Sequence, residues 1–141
     1  MRVLWSHLGT GDAATTQTLA TMRALVTAAT RDPYLVQTAR NLVARAASRD
    51  PADQAAALYA WLKARYRFVK DPLDYELVVP PRRLLDDIRR QGFFQEDCDG
   101  SAVLLGALAE SVGVPSRFHV YSRRPPQGVG DSKFSHLLTE L

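Results

Sequence analysis

The stretch Glu96-Asp97-Cys98-Asp99-Gly100-Ser101-Ala102-Val103-Leu104-Leu105-Gly106-Ala107-Leu108-Ala109 decides how this chain is read. Ala102, Val103, Leu104, Leu105, Ala107, Leu108 and Ala109 cover nearly the whole circumference of a helix over 98–112. A helix that is apolar all round belongs inside a core. Asp97 is the residue type that caps a helix start. Gly113 is the type that ends one, with Pro115 beyond it. Cys98, the only cysteine, therefore falls in the first turn of a buried helix.

Downstream, Arg117 to Tyr121 alternates apolar Phe118 and Val120 with polar neighbours, the period of a strand. A loop from Ser122 to Asp131 carries Pro125, Pro126, Gly128 and Gly130. A second strand runs from Phe134 to the end. Upstream, the pattern is helical. One helix starts at Thr15 and stops near Arg31, with Leu19, Met22, Leu25, Val26 and Ala29 on one face. Asp32-Pro33 and Asp50-Pro51 each pair a capping side chain with proline at the first helical position. They open helices with inward Leu35, Val36, Ala39, Leu42, Val43 and Ala46, then Ala55, Leu58, Tyr59, Leu62 and Tyr66. Phe68-Val69 and Leu77-Val78-Val79 are short β-like runs. Pro80-Pro81 leads into a short helix through Leu84, Leu85 and Ile88 that Gly92 ends. Residues 1–14 read as an arm or loop. Helices first, then a helix feeding antiparallel strands, predicts an α+β fold.

The 141 residues suit one domain, and 46% hydrophobic with 23% charged is an ordinary globular balance. One cysteine excludes an internal disulfide and fits a reducing compartment. The formal charge of +3 is spread along the chain. Its tightest cluster, Arg82-Arg83 and Arg89-Arg90, is balanced by Asp86 and Asp87, which reads as a solvated helix face. Neither a nucleic-acid footprint nor a membrane span is expected. The N-terminus lacks a signal-peptide form.

The chemistry centres on Cys98. The dipole and amides of a helix start favour a thiolate, and the amides that follow suit an oxyanion. Asp97 and Asp99 oppose this by raising a thiol pKa, so the thiol needs a cationic neighbour. His7 lies in the arm. His119 shares a strand face with Arg117 and Tyr121, a wetter mixture. His136 is flanked by Phe134, Leu137 and Leu138, shares a face with Leu138 and Glu140, and is the expected base. Taken singly, a lone cysteine is more often a small buried hydrophobe, and a lone histidine a satisfied core residue. Trp61 and Tyr66 read as core or groove wall. Gln95 and Glu96 fit either a site lining or ordinary loop polarity.

No cofactor or metal is expected. A calcium loop starting at Asp97 would need an acid where Leu108 stands. One cysteine with scattered histidines does not make a structural zinc site. Gly128-Val129-Gly130-Asp131-Ser132-Lys133 lacks the phosphate-loop order.

The run Glu96 to Ala102 with its apolar helix resembles the cysteine motif of the transglutaminase-like superfamily. Gly113-Val114-Pro115-Ser116-Arg117 resembles the family's turn after that helix, and His136 with Glu140 its histidine strand. Tyr66-Arg67-Phe68-Val69-Lys70-Asp71, Pro80-Pro81 and Leu84-Leu85 fit its lead-in. The resemblance covers residues 52–141, with 1–51 as an arm and helical preamble similar to phage and prophage versions. It implies a papain-like core in which the cysteine helix packs on an antiparallel sheet. The implied reaction is thiol-dependent acyl transfer or hydrolysis of a peptide, protein or other amide, with Cys98 as nucleophile and His136 as general base. With no signal-peptide form and no membrane span, a cytoplasmic protein is expected, or a virion-associated one if the phage-type resemblance holds. The family's third catalytic member is an aspartate on the strand after the histidine strand, and the chain stops at Leu141. This points to a core truncated at its C-terminus, with strand-edge self-association as a consequence. The alternative expectation is a catalytically inactive binding or assembly module of phage-structural type.

Overall fold

A computed structural model describes residues 4–6, 12–70, 76–122 and 134–141, with side chains over 16–70, 78–119 and 139–141. His7, Asp71-Pro72 and the glycine-rich run 128–133 lie outside the described residues. The fold is α+β and dominated by helices. The order is β1 (Leu4–Ser6), α1 (Asp12–Ala29), α2 (Pro33–Val43), α3 (Pro51–Lys63), β2 (Tyr66–Phe68), β3 (Glu76–Val78), α4 (Pro81–Gln91), β4 (Phe94–Glu96), α5 (Cys98–Ser111), β5 (Arg117–Ser122) and β6 (Phe134–Glu140).

Helix α5 is the centre of the molecule. Its residues from Ala102 to Ala109 are all buried. Leu104 and Leu108 pack with Leu35 and Ala39 of α2, Leu58 and Leu62 of α3, Leu84 and Leu85 of α4, and Phe94. Val103 and Ala102 pack with Met22 and Val26 of α1, with Val78 and Phe118 against them. Fully burying each such leucine stabilises the fold by about 1.5–3 kcal/mol. The helices of the first 51 residues thus share their cores with α5.

Local chemistry sets the helix ends. The Asp32 carboxylate accepts from the Tyr34 and Leu35 amides, and the Asp50 carboxylate from Ala52. Both helices carry proline in the first turn, where its missing N–H costs nothing. Gly92 ends α4 at φ 88° and Gly113 follows α5 at φ 83°, left-handed positions that glycine adopts without strain. The expected start of the first helix moves three residues back, to Asp12.

Among the described residues the strands form three two-stranded sheets. The arm contributes a strand: Leu4, Trp5 and Ser6 pair antiparallel with Val78, Leu77 and Glu76. Tyr66, Arg67 and Phe68 pair parallel with Phe94, Gln95 and Glu96. That pairing needs a crossover, and α4 lies within it. β4 is a strand that the sequence does not announce, because its three residues are too few to show a period. Tyr59, expected inward, is 52% exposed, because the inward stripe of α3 passes through Leu58 and Leu62. β5 and β6 pair antiparallel, with Ser135 as an extra residue where Tyr121 faces His136 and Ser122 faces Phe134.

Candidate active site

The site is built where β4 runs into α5. Asp97 has extended backbone, and its Oδ1 accepts from the amides of Asp99 (3.0 Å) and Gly100 (3.4 Å). The Ser101 amide closes the first helical bond to Asp97 O at 3.4 Å. Cys98 is the first helical residue and is half-buried against the core made by α1 and α5. One expectation is corrected here. The two amides after Cys98 serve the Asp97 cap, so they are not open donors for an oxyanion.

Gly100 has a packing reason. Glu96 is only 5% exposed, and its side chain lies beneath the first turn of α5. A Cβ added at position 100 would meet Glu96 Cγ at 1.7 Å and Glu96 Cβ at 2.9 Å. The Asp97 amide donates to Glu96 Oε1 at 3.3 Å. Of the two readings offered for Gln95 and Glu96, Gln95 fits solvent polarity and Glu96 does not: Gln95 is exposed and Glu96 is tucked under the helix.

The surroundings of the thiol are acidic. Cys98 Sγ donates to Asp99 Oδ1 at 3.6 Å, and Asp99 is itself buried. Ser101 Oγ donates to the Cys98 carbonyl at 3.3 Å. Tyr66 completes the group. Its ring packs on Phe94 with centroids 5.3 Å apart, and its hydroxyl is hydrogen-bonded to Ser101. Burial pushes the Tyr66 phenol up to about 12, and the negative charge at Cys98, Asp97 and Glu96 adds to this against the Ser101 bond. The phenol therefore stays protonated across the neutral range. The sequence predicts Tyr66 as core or groove wall at an inward position of the third helix; that helix ends at Lys63, and Tyr66 instead opens β2. The missing signal was the parallel pairing of β2 with β4, which delivers it to the helix start.

The register overturns the expected difference between the two late histidines: His119 lies opposite Leu138 and Tyr121 opposite His136, so both positions have the same parity in the β5–β6 hairpin. Phe118 lies near Gly106, where its ring edge would be 3.8 Å from a Cβ, while Thr139 Oγ1 donates to Ala102 O at 2.7 Å. β6 therefore crosses α5 one turn nearer Cys98 than β5 does. His119 is exposed and bonded to Glu140. Glu140 also accepts from Arg117 at 2.6 Å. The Arg117 hydrogen bond holds the Glu140 carboxyl below the usual carboxylate range, with His119 contributing. Glu140 thus ties the hairpin together rather than serving the thiol. His136 pairs with Tyr121 in the register and has the strand parity of Leu138 and Glu140, opposite to Thr139. Ser135 is the extra residue between His136 and Phe134 in this register. The His136 side chain is outside the described set.

Among the described residues no cluster of His, Cys, Asp and Glu is arranged to hold a metal ion, and no helix is long and apolar enough to cross a membrane. No protein-family model, curated protein or solved structure matches this chain.

Proposed function

We propose that this chain carries a papain-like, transglutaminase-like site for thiol-dependent acyl transfer or amide hydrolysis, with Cys98 as nucleophile and His136 as general base. The observation that carries the reading is the half-buried Cys98 at the capped first turn of the central helix α5. There the helix dipole favours a thiolate, and the buried helix fixes the sulfur in place. The choice of His136 as base rests on the family resemblance; the β6 contact with α5 is made by Thr139, a position of opposite parity.

In the reaction, His136 takes the Cys98 proton and the sulfur adds to the carbonyl carbon of a peptide, protein or other amide. The C=O π pair moves to oxygen. Collapse expels the amine, which receives the proton from His136, and leaves a thioester on Cys98. Water or a second amine, deprotonated by His136, resolves it to acid or new amide. Water needs no binding site of its own, which favours hydrolysis.

The test is acylation of Cys98 by p-nitrophenyl acetate. A burst of p-nitrophenolate with one acetyl group located on Cys98 by mass spectrometry is expected, absent in Cys98→Ala. A wild-type protein with no Cys98-dependent burst would refute the enzymatic reading. The second reading is an inactive binding or assembly module. It is favoured by one observation, the carboxylate partner of the thiol: Asp99 accepts from Sγ and so stabilises the protonated form. An inert Cys98 with partner binding retained in Cys98→Ala is its signature.

A further inference from the structure

The geometry points to a second site: an anion-binding pocket at the far end of α5 from Cys98 that holds an organic phosphate monoester between Arg40 and Arg49. The pocket has a volume of about 480 Å³. It is lined by Arg40 and Val43 of α2, Arg49 and Gln54 around the start of α3, and Ser111 and Val112 at the end of α5. The 14 residues of α5, at about 1.5 Å each, put it about 20 Å from the thiol. The inference therefore stands apart from the thiol reading.

Three observations lead to it. The first is a set of unengaged donors. Arg23 pairs with Glu110 and Arg82 with Asp32, while Arg65 and Arg67 lie over the rings of Trp61 and Phe93. Among the described residues, neither the Arg40 nor the Arg49 guanidinium meets a carboxylate or a ring, and the Gln54 side-chain amide has no hydrogen-bond partner. All three line one pocket. The second is that the nearby acceptors are occupied. The Asp50 carboxylate accepts from the Ala52 amide, and the Asp53 carboxylate from the Ser48 hydroxyl. The dipole ends of α2 and α5 oppose an anion, but their carbonyls are closed by local turns. Arg40 O accepts from the Ala44 amide at 3.1 Å, Val43 O from Ala46 at 3.0 Å and Ala109 O from Val112 at 3.1 Å. The third is the mixture in the lining. Val43 and Val112 place apolar surface beside two fixed cations, which suits an anion attached to an apolar body. Each guanidinium offers a planar fork of donors that matches phosphate oxygens, and two of them balance a dianion. A carboxylate would leave one of the two charges unmatched.

The test is calorimetric titration of the full chain with phenyl phosphate. One saturable site is expected. Arg40→Gln and Arg49→Gln should each weaken it about tenfold, the loss of one charge-assisted contact. Both arginines are exposed, so the melting temperature without ligand should not move. Arg45→Gln removes the same charge from an exposed position outside the pocket lining and should change affinity less than about twofold. Inorganic phosphate should bind about tenfold more weakly than phenyl phosphate, because it leaves the two valines uncovered. Benzoate, with the same ring and a single charge, should also bind more weakly. Equal weakening by all three arginine substitutions would reduce the binding to general charge attraction and overturn the inference. Benzoate or inorganic phosphate binding as tightly as phenyl phosphate, or no saturable binding below about 10 mM, overturns it too. Cys98→Ala should leave this binding unchanged, so the inference and the thiol reading fail separately.

Discussion

Gly100 and Glu96 form the tightest constraint at the residue scale. Alanine is the better helix former by about 1 kcal/mol, yet a methyl at position 100 has no room above Glu96. Gly100→Ala is expected to destabilise the protein by about 1–3 kcal/mol, the usual range for overpacking. Adding Glu96→Ala should recover most of that loss, a coupling that a double-mutant cycle in denaturant measures. Independent, additive effects would contradict the packing account. Tyr66 makes a prediction in pH. Below about pH 10 the phenol is neutral in both states. Above that the unfolded chain loses the proton while the folded chain keeps it up to about 12. The folded state then binds more protons, so its stability falls through that window as pH rises. Wild type should show this decline beyond that of Tyr66→Phe, and the difference in their tyrosinate absorbance should titrate well above 10. A Tyr66 transition near 10 would contradict its placement beside Asp97 and Cys98.

Caps and clamps set the elements. Asp97→Ala removes the acceptor for two α5 amides and is expected to cost about 1 kcal/mol. Asp32 does two jobs: it caps α2 and accepts both 3.0 Å bonds from Arg82 Nη1, whose guanidinium also lies 4.5 Å over the Tyr34 ring. Asp32→Ala should therefore cost about 1–2 kcal/mol, whereas Asp32→Asn keeps the cap and loses only the half-exposed ion pair, about 0.2–1 kcal/mol. Equal losses for the two variants would show that the cap is irrelevant. These helices were legible because Asp-Pro starts, apolar stripes and glycine stops are local signals. The apparent solvated face of α4 was only partly so, since the partner of Arg82 lies 50 residues away. Strands β1 and β4 were not legible. Each has three residues and exists only because a distant strand pairs with it.

For the whole molecule, one helix carries the core and presents the candidate nucleophile at its end. Leu108→Ala, at a fully buried position, should cost about 2–5 kcal/mol and lower the denaturant midpoint at unchanged slope. The apolar run 102–109 announced this centre without tertiary information, and Asp97 announced the cap. The acidic first turn was also visible in the sequence. What it could not show was how β2 brings Tyr66 to Cys98, how Glu96 lies under Gly100, or that the cap occupies the amides an oxyanion would use. All three depend on strand pairing between distant segments. The central claim is that Cys98 is a nucleophile activated through His136. Its most direct test is the pH profile of Cys98 alkylation by iodoacetamide in wild type, His136→Ala and His119→Ala. The account predicts a wild-type midpoint below the free-cysteine value of about 8.5, raised to that value or above in His136→Ala and unchanged in His119→Ala. A wild-type midpoint at or above about 8.5 that His136→Ala leaves in place would contradict it.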